Sequence, residues 1–231
     1  MRFVISNQGA VVVKYSPDEV APLGGYMARH LIDLLRTTYQ FSVSPEVPIG
    51  VAASALPAYH FQSGMIFDEE GLLPIKTLVI TANIIMVISQ DTSKAEKILG
   101  HILDFLDANF SYRFKDTEKE KIYQSNITVD FQESIDRHLG SAISIGRLIA
   151  EATNNSELPT IKRLHVGYGD LSTAQTPTNL PEGIDFLIER RTGEPLSKNR
   201  YFCSAPLATE RHVQLMTDIE HALLDDGRDV N

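Results

Sequence analysis

The sequence predicts an α+β fold of two similar β-α-β-β-β-α halves, with a mainly antiparallel sheet and about four helices. Two observations support this prediction. Apolar residues alternate with polar ones in several short stretches, as in strands, and recur every three or four positions in others, as in helices. The order of these stretches before a charged linker, KDTEKEK at 115–121, is repeated after it. The repeat indicates a possible internal duplication, with halves at 1–114 and 122–225 and a flexible tail at 226–231.

The first half is predicted to begin with a hairpin. The stretches RFVIS and AVVVKY flank the turn NQG, in which Gly9 supplies the positive φ that such a turn often needs. Helical spacing of apolar residues then predicts an amphipathic helix over 21–39. Extended segments follow, and the last of them, IKTLVITANIIMVIS at 75–89, is apolar on both faces, as in a central strand. Asp91 or Thr92 is the predicted N-cap of the helix that closes this half.

The second half is predicted to begin with the strand KIYQSNITVDF, in which Ile127, Val129 and Phe131 alternate with polar residues. A helix follows over 133–153 and packs through one apolar face. The residues predicted for that face are Ile135, Leu139, Ala142, Ile143, Gly146 and Ile149. Three further strands and a closing helix over 209–224 complete the half.

Two connecting segments of the second half are polar. Composition predicts a loop at 170–183, which is rich in Thr and Pro. The segment ERRTGE at 189–194 is predicted to form the turn of a hairpin, with Gly193 at its tip and its charges in solvent. Charges of this kind protect an edge strand from unwanted pairing, and the alternative is a loop that binds a partner.

The composition limits the partners of the chain. Its 21 Lys and Arg against 30 Asp and Glu give a formal charge of -9, and the basic residues are scattered, which disfavours direct binding of nucleic acid. The longest apolar run, IIMVI at 84–88, is too short to span a bilayer, so no membrane association is predicted. A single cysteine and the lack of a signal-peptide pattern favour a cytoplasmic protein.

Cys203 is the first candidate site residue, because it is the one cysteine and His212 follows it nine positions later. A reactive thiolate needs a lowered pKa from a helix N-terminus or a neighbouring cation. Strand alternation instead places Cys203 on the same face as Tyr201 and Ala205. We therefore predict that this face is buried and that Cys203 packs in a core.

Two histidines on predicted strands are the other catalytic candidates, His60 and His165. His165 is followed by Tyr168 and Asp170 where its strand passes into a loop, a place where ligand-binding groups often lie. These three residues are the most site-like polar group of the second half. No His or Cys spacing resembles a metal site, and no cofactor motif is present, so neither a metal nor a cofactor is predicted.

The sequence therefore predicts a non-catalytic interaction or assembly module, a homo-oligomer or a subunit of a larger complex with a protein partner. The alternative is a small-molecule sensor or a hydrolytic enzyme, with its site in a groove between the two halves. In that case His60, His165 or Cys203 would contribute, with a histidine as general base.

Overall fold

The structure is a computed structural model of the 231-residue chain. It describes residues 1, 3–20, 28–46, 58–69, 71–152, 162–167 and 185–226. The strands are β1 (Phe3–Lys14), β2 (Tyr59–Asp68), β3 (Gly71–Ile80), β4 (Ile84–Ser89), β5 (Glu120–Asp130), β6 (Arg163–Gly167), β7 (Asp185–Arg190) and β8 (Arg200–Ala205). The helices are α1 (Pro17–Val20), α2 (Ala28–Thr38), α3 (Thr92–Phe110), α4 (Gly140–Ala152) and α5 (Thr209–Asp226).

The eight strands form one antiparallel sheet in the order β2-β3-β4-β1-β5-β8-β7-β6. The α+β class and the mainly antiparallel sheet are thereby confirmed. The five α-helices of the described residues roughly match the predicted number, since α1 is a single turn of four residues. None of the described helices is long and apolar enough to cross a membrane.

The chain divides into two compact units. The first unit is Gln8–Ser125, and the second unit combines Met1–Asn7 with Asn126–Asn231. In the first unit β1 lies beside β4, and in the second unit β5 lies beside β8, so the first strand of each unit neighbours its last. The predicted halves, the linker at 115–121 and the tail at 226–231 stay predictions.

The predicted N-terminal hairpin is wrong, because β1 runs without a turn from Phe3 to Lys14. Gly9 lies within this strand, opposite Ser89 of β4, and its φ is not positive. Its lack of a side chain serves another purpose. A Cβ atom at Gly9 would lie 2.1 Å from the carbonyl carbon of Asp91 and 2.1 Å from the nitrogen of Thr92. Glycine is required here because the start of α3 approaches the strand backbone closely.

The apolar segment at 75–89 is two strands rather than one. Thr81 turns the chain between β3 and β4: its N–H donates to the carbonyl of Ile84 over 2.8 Å, and the Ile84 N–H donates to its Oγ1 over 3.1 Å. β3 and β4 then pair antiparallel from Ile80 and Ile85 onward. The segment is apolar on both faces because both strands lie inside the sheet, as predicted for a central strand.

The β2–β3 hairpin changes its buried face at Ser63, whose φ is 55°. Before this residue Phe61 faces the core, and after it Ile66 does, so the inward positions change from odd to even. The pairing register continues through the change. As a consequence, the cross-strand pair Phe67 and Leu72 near the end of the hairpin lies in solvent.

Helix α3 confirms the predicted cap. Asp91 is the N-cap, in extended conformation, and its Oδ1 accepts a hydrogen bond from the Lys94 N–H over 2.8 Å. This bond satisfies one of the backbone donors that an α-helix leaves without an intrahelical partner. The face of α3 that packs into the core of the first unit consists of Ala95, Ile98, Leu99, Ile102, Leu103, Leu106 and Phe110.

The core of the second unit confirms the predicted alternation in β5, because Ile127, Val129 and Phe131 are all buried. The predicted helix over 133–153 is interrupted: a 3-10 turn at Ile135–His138 precedes α4. This break changes the helical phase. Ile135 is buried as predicted, whereas Ile149, predicted for the same face, is exposed.

Candidate functional site

Cys203 lies at the centre of a strand in an apolar environment. It is fully buried on β8 with Tyr201 and Ala205, which confirms the predicted buried face. Its apolar neighbours include Ile188 and Met216. Burial raises the pKa of the Cys203 thiol far above its ordinary value, because the thiolate would lose its solvation. The thiol is therefore protonated at neutral pH and is not an activated nucleophile.

We expect Cys203 to be unreactive toward a thiol reagent such as DTNB in the native chain. The reason is that the reagent needs an accessible thiolate, whereas this thiol is fully buried and burial raises its pKa. Labelling should become stoichiometric in denaturant. A chain with Cys203→Ala and Ser197→Cys is the control, since Ser197 is exposed and its cysteine should react at once. Rapid labelling of native Cys203 would contradict the buried position.

His165 and Cys203 do not combine into one site. In the β6-β7-β8 pairing, His165 lies level with Leu187, which lies level with Ser204. Cys203 belongs to the adjacent row with Ile188. Neighbouring rows of a sheet project to opposite faces, and accordingly His165 is exposed while Cys203 is buried.

His212 and His60 are the other predicted site residues that the structure describes. His212 of α5 is buried and its ring contacts that of Phe186 at 6.0 Å, edge to face. His60 is an exposed residue of β2, in the other unit. Tyr168 and Asp170 lie outside the described residues, as does the predicted loop at 170–183. Catalytic or ligand-binding roles for His60, His165, Tyr168 and Asp170 stay predictions.

The predicted turn ERRTGE lies where expected, with Gly193 at a φ of 83°. However, β7 is not an edge strand, because it lies between β6 and β8. Arg190 consequently points into the second unit rather than into solvent. Its Nη2 donates to Ser134 Oγ over 2.6 Å and to Asp136 Oδ2 over 2.9 Å. Its guanidinium also lies 5.0 Å from the ring centre of Tyr201.

A second arginine is held by two carboxylates at the same hairpin. Arg200 donates from Nε and Nη2 to the two oxygens of Asp130, over 2.7 and 2.9 Å, and from Nη1 to Glu194 over 2.8 Å. The bidentate hydrogen bonds from Arg200 lower the pKa of Asp130 below its ordinary value. Lys198 pairs with Glu194 over 2.9 Å, so the cluster of two basic and two acidic side chains neutralises its own charges and orders the hairpin.

We expect Asp130→Asn to destabilise the chain at pH 7 and to do so less as the pH falls. A carboxylate whose pKa is lowered on folding stabilises the folded state above its unfolded pKa, and this stabilisation is lost as the pH falls through the folded pKa. Urea unfolding of both chains at pH 7 and at about pH 3 measures the difference.

The control for this prediction is Glu189→Gln, which removes an exposed pair with Arg163 at 3.0 Å. Exposed ion pairs contribute little, so this change should have almost no effect at either pH. A destabilisation by Asp130→Asn that does not depend on pH would contradict the role of the carboxylate charge.

Helix α4 presents an apolar surface to solvent. Ile145, Leu148 and Ile149 are 58%, 65% and 58% exposed, and they form one stripe because they lie three and four residues apart. We call these three residues the α4 stripe. Other residues of the helix, such as Arg147 and Glu151, are exposed as well. The stripe is a contiguous apolar patch of the kind that marks interaction sites.

The sequence contains a signal for this stripe, although its periodicity predicts Ile149 for the buried face. α4 is apolar on more than one side, with a single Arg and a single Glu, and such a helix is normally covered all round. The sequence pattern alone does not predict which side of α4 is covered by the rest of the chain.

No protein-family model matches the chain, and no curated protein matches it significantly. Its function is therefore inferred from geometry. Among the described residues, no group of three or more His, Cys, Asp or Glu side chains is placed to hold a metal ion. The feature of this part of the chain with the clearest chemical consequence is the α4 stripe.

Proposed function

We propose that this chain is a non-catalytic interaction and assembly module, and that the α4 stripe is its contact with a protein surface. The exposed Ile145, Leu148 and Ile149 are the observation that supports the proposal. Covering three large aliphatic side chains stabilises a complex by removing their surface from water. Aliphatic side chains have no acid-base or nucleophilic chemistry, so this surface favours binding over catalysis.

The charge of α4 favours a protein over a membrane or a nucleic acid. Its exposed residues include one arginine and one glutamate, Arg147 and Glu151, so the helix has no basic excess. A helix that lies on an anionic membrane is typically rich in Lys and Arg on its polar face, and phosphate binding has the same requirement. The formal charge of -9 also disfavours binding to an anionic membrane or to a nucleic acid.

The proposal is tested with Leu148→Asp and the matched variant Arg147→Asp. Both changes introduce one aspartate at an exposed position of the same helix, but only the first lies in the stripe. Light scattering of the purified chains should give a larger mass for the wild type and for Arg147→Asp than for Leu148→Asp. If the partner is a different protein, a photo-crosslinking residue introduced at position 148 in cells should form an adduct with it. This adduct should disappear when Ile145→Asp is added.

Two results together would overturn the proposal. One is a wild-type chain that is monomeric at all concentrations, and the other is a residue-148 crosslinker that gives no adduct. Equal behaviour of Leu148→Asp and Arg147→Asp in both assays would also overturn the assignment to the stripe.

We also infer that the chain arose by internal duplication. The series β1-α2-β2-β3-β4-α3 and β5-α4-β6-β7-β8-α5 have the same order, and in each unit the first strand neighbours the last. In an experimental structure, the six elements of one series should superpose on those of the other without a change of order. A different path of the chain through the two sets would contradict the duplication.

A further inference from the structure

A cleft of about 240 Å³ lies between α3 and the segment that leads from this helix into β5. We call it the α3 cleft. Its carboxylates lie on the helix, whereas its ammonium groups lie on the segment and at the start of β5. These charged lining residues are Glu96, Asp104 and Asp107 on the helix, and Lys115, Lys119 and Lys121 on the opposite side. The cleft is therefore neutral as a whole, with opposite charge on its two sides.

The charged groups form the surface that a ligand would meet in the α3 cleft. The apolar lining residues Leu99, Leu103 and Phe114 are themselves buried. Gly100 leaves room on the helix side, since a Cβ atom built on it would meet nothing within 4 Å. The volume lies below the roughly 300–1,000 Å³ of pockets for drug-sized ligands. The cleft therefore suits a small polar molecule that is held by charge.

Four of the six charged lining groups neutralise each other in two ion pairs. Lys121 Nζ lies 2.7 Å from Glu96 Oε1, and Lys115 Nζ lies 3.2 Å from Asp104 Oδ1. Each of these groups already has its counter-charge, so neither pair requires a ligand. One carboxylate and one ammonium group of the lining remain, those of Asp107 and Lys119.

Asp107 and Lys119 are both held by the main chain of Phe114. Asp107 Oδ1 accepts the Phe114 N–H over 2.9 Å, and its Oδ2 accepts the Lys115 N–H over 3.2 Å. Lys119 Nζ donates to the carbonyl oxygen of Phe114 and, over 3.4 Å, to that of Thr117. Among the residues that the structure describes, neither Asp107 nor Lys119 has a partner of opposite charge. The main chain therefore fixes two opposite charges at the N–H and the carbonyl of one residue without joining them.

Each of these two groups can form a further hydrogen bond. A carboxylate oxygen accepts two hydrogen bonds, and each oxygen of Asp107 has one from the backbone. An ammonium group has three donors, and Lys119 directs two of them to carbonyl oxygens. Both residues are only half-buried, so a ligand can approach them. A ligand with a single charge would leave either Asp107 or Lys119 without a counter-charge, whereas a zwitterion supplies both.

We propose that the α3 cleft binds an α-amino acid in its zwitterionic form. The ammonium group of the ligand donates to Asp107, and its carboxylate accepts from Lys119. An α-amino acid carries both groups on one carbon atom, and Asp107 and Lys119 are likewise held at the two ends of one residue, Phe114. This site goes beyond the proposed assembly function and does not use the α4 stripe, so either proposal can fail without the other.

The test is a titration of the full chain with each of the common L-amino acids at millimolar concentration. Two-dimensional NMR of the isotope-labelled chain reports on the site directly, because the amides of Phe114 and Lys115 donate to Asp107. At least one amino acid should shift these two amide resonances in a saturable manner. Its primary amide lacks the carboxylate, and its N-acetyl derivative lacks the ammonium group. Each derivative should bind about tenfold more weakly or worse, because it loses a hydrogen bond between charged groups.

Two variants and a control locate the site within the cleft, with the affinity measured by isothermal titration calorimetry. Lys119→Met removes the ammonium group that has no ion pair, so it should weaken binding about tenfold or more. Gly100→Leu fills the space on the helix side and should abolish binding. The room at Gly100 and the helix propensity of leucine favour correct folding of this variant, which circular dichroism checks. Lys115→Met is the matched control: it removes an exposed ammonium group that is paired with Asp104, and it should leave the affinity nearly unchanged.

Four results would each overturn the proposal. The first is a titration in which no amino acid shifts the Phe114 and Lys115 amides in a saturable manner. The second is a primary amide or an N-acetyl derivative that binds as tightly as its parent amino acid. The third is an equal affinity of Lys119→Met and Lys115→Met, and the fourth is a folded Gly100→Leu variant that binds like the wild type.

Discussion

Replacing Gly9 by alanine is expected to destabilise the chain by about 3 kcal/mol or more. The new Cβ atom would lie 2.1 Å from two backbone atoms, the carbonyl carbon of Asp91 and the nitrogen of Thr92. A flexible side chain can move aside, but here the obstacle is the backbone at the start of α3. Relief requires α3 to move away from β1, which would disturb the packing of the buried face of the helix. Urea unfolding followed by circular dichroism measures the change.

Gly100→Ala is the matched control for this prediction. It introduces the same methyl group in the same unit, at an exposed position of α3 where nothing lies within 4 Å. Alanine is favoured over glycine inside a helix, so this variant should be more stable by about 0.5–1 kcal/mol. A Gly9→Ala variant as stable as the wild type would show that the close approach of α3 to β1 is not present in solution.

The second large effect is expected at Tyr201. Its ring is buried in the second unit and contacts Phe131 with 5.4 Å between ring centres. Its hydroxyl oxygen accepts the buried Ile135 N–H over 3.2 Å. Tyr201→Ala should cost about 3–5 kcal/mol, because it removes a large aromatic group from a packed core. Tyr201→Phe keeps the ring and should cost about 1–2 kcal/mol, the penalty of leaving the Ile135 donor without a partner.

Comparing these two variants separates packing from hydrogen bonding at one position. Phe202→Ala is the control, because Phe202 is the next residue of β8 and points to the other face, where it is only half-buried. It should cost clearly less than Tyr201→Ala. If Phe202→Ala were the more damaging change, the assignment of the buried face of β8 would be wrong.

Local sequence patterns were sufficient to predict several elements. The sequence predicts Asp91 or Thr92 as the cap of α3, because a short polar side chain before an apolar helix satisfies backbone donors of that helix, and the structure selects Asp91. Burial of Ile127 and Val129 followed from alternation, and burial of Tyr201 and Cys203 followed from it in the same way. In each case the decisive interaction lies within a few residues of the chain, or depends on a strand having two faces.

The sequence predictions are wrong where contacts with distant parts of the chain determine the local structure. The NQG segment reads as a turn, but Gly9 remains in β1, where the backbone of Asp91 and Thr92 packs against it. Segment 75–89 reads as one strand, but antiparallel pairing of its two halves divides it at Thr81. Gly9 stays in β1 because it contacts residues far along the chain. The turn at Thr81 forms because the strands on its two sides pair with each other.

The candidate surfaces illustrate the same division. The residue types of the α4 stripe and of the exposed pair Phe67 and Leu72 are evident in the sequence, but their exposure is not. Ile149 was assigned to a buried face because the break after Ile135–His138, which changes the helical phase, leaves no clear mark in the pattern. Phe67 reaches solvent because Ser63, with its positive φ, reverses the inward positions of the hairpin.

The sequence by itself determined the α+β class, the repeated order of elements and the buried face of β8 that holds Cys203, because these follow from local periodicity and from the alternation of side chains along a strand. Only the tertiary structure decided the strand order, the role of Gly9 and which apolar residues remain uncovered. These depend on contacts between segments distant in the chain, since a hydrophobic side chain is attracted equally to every apolar surface and the packing of the whole unit selects one.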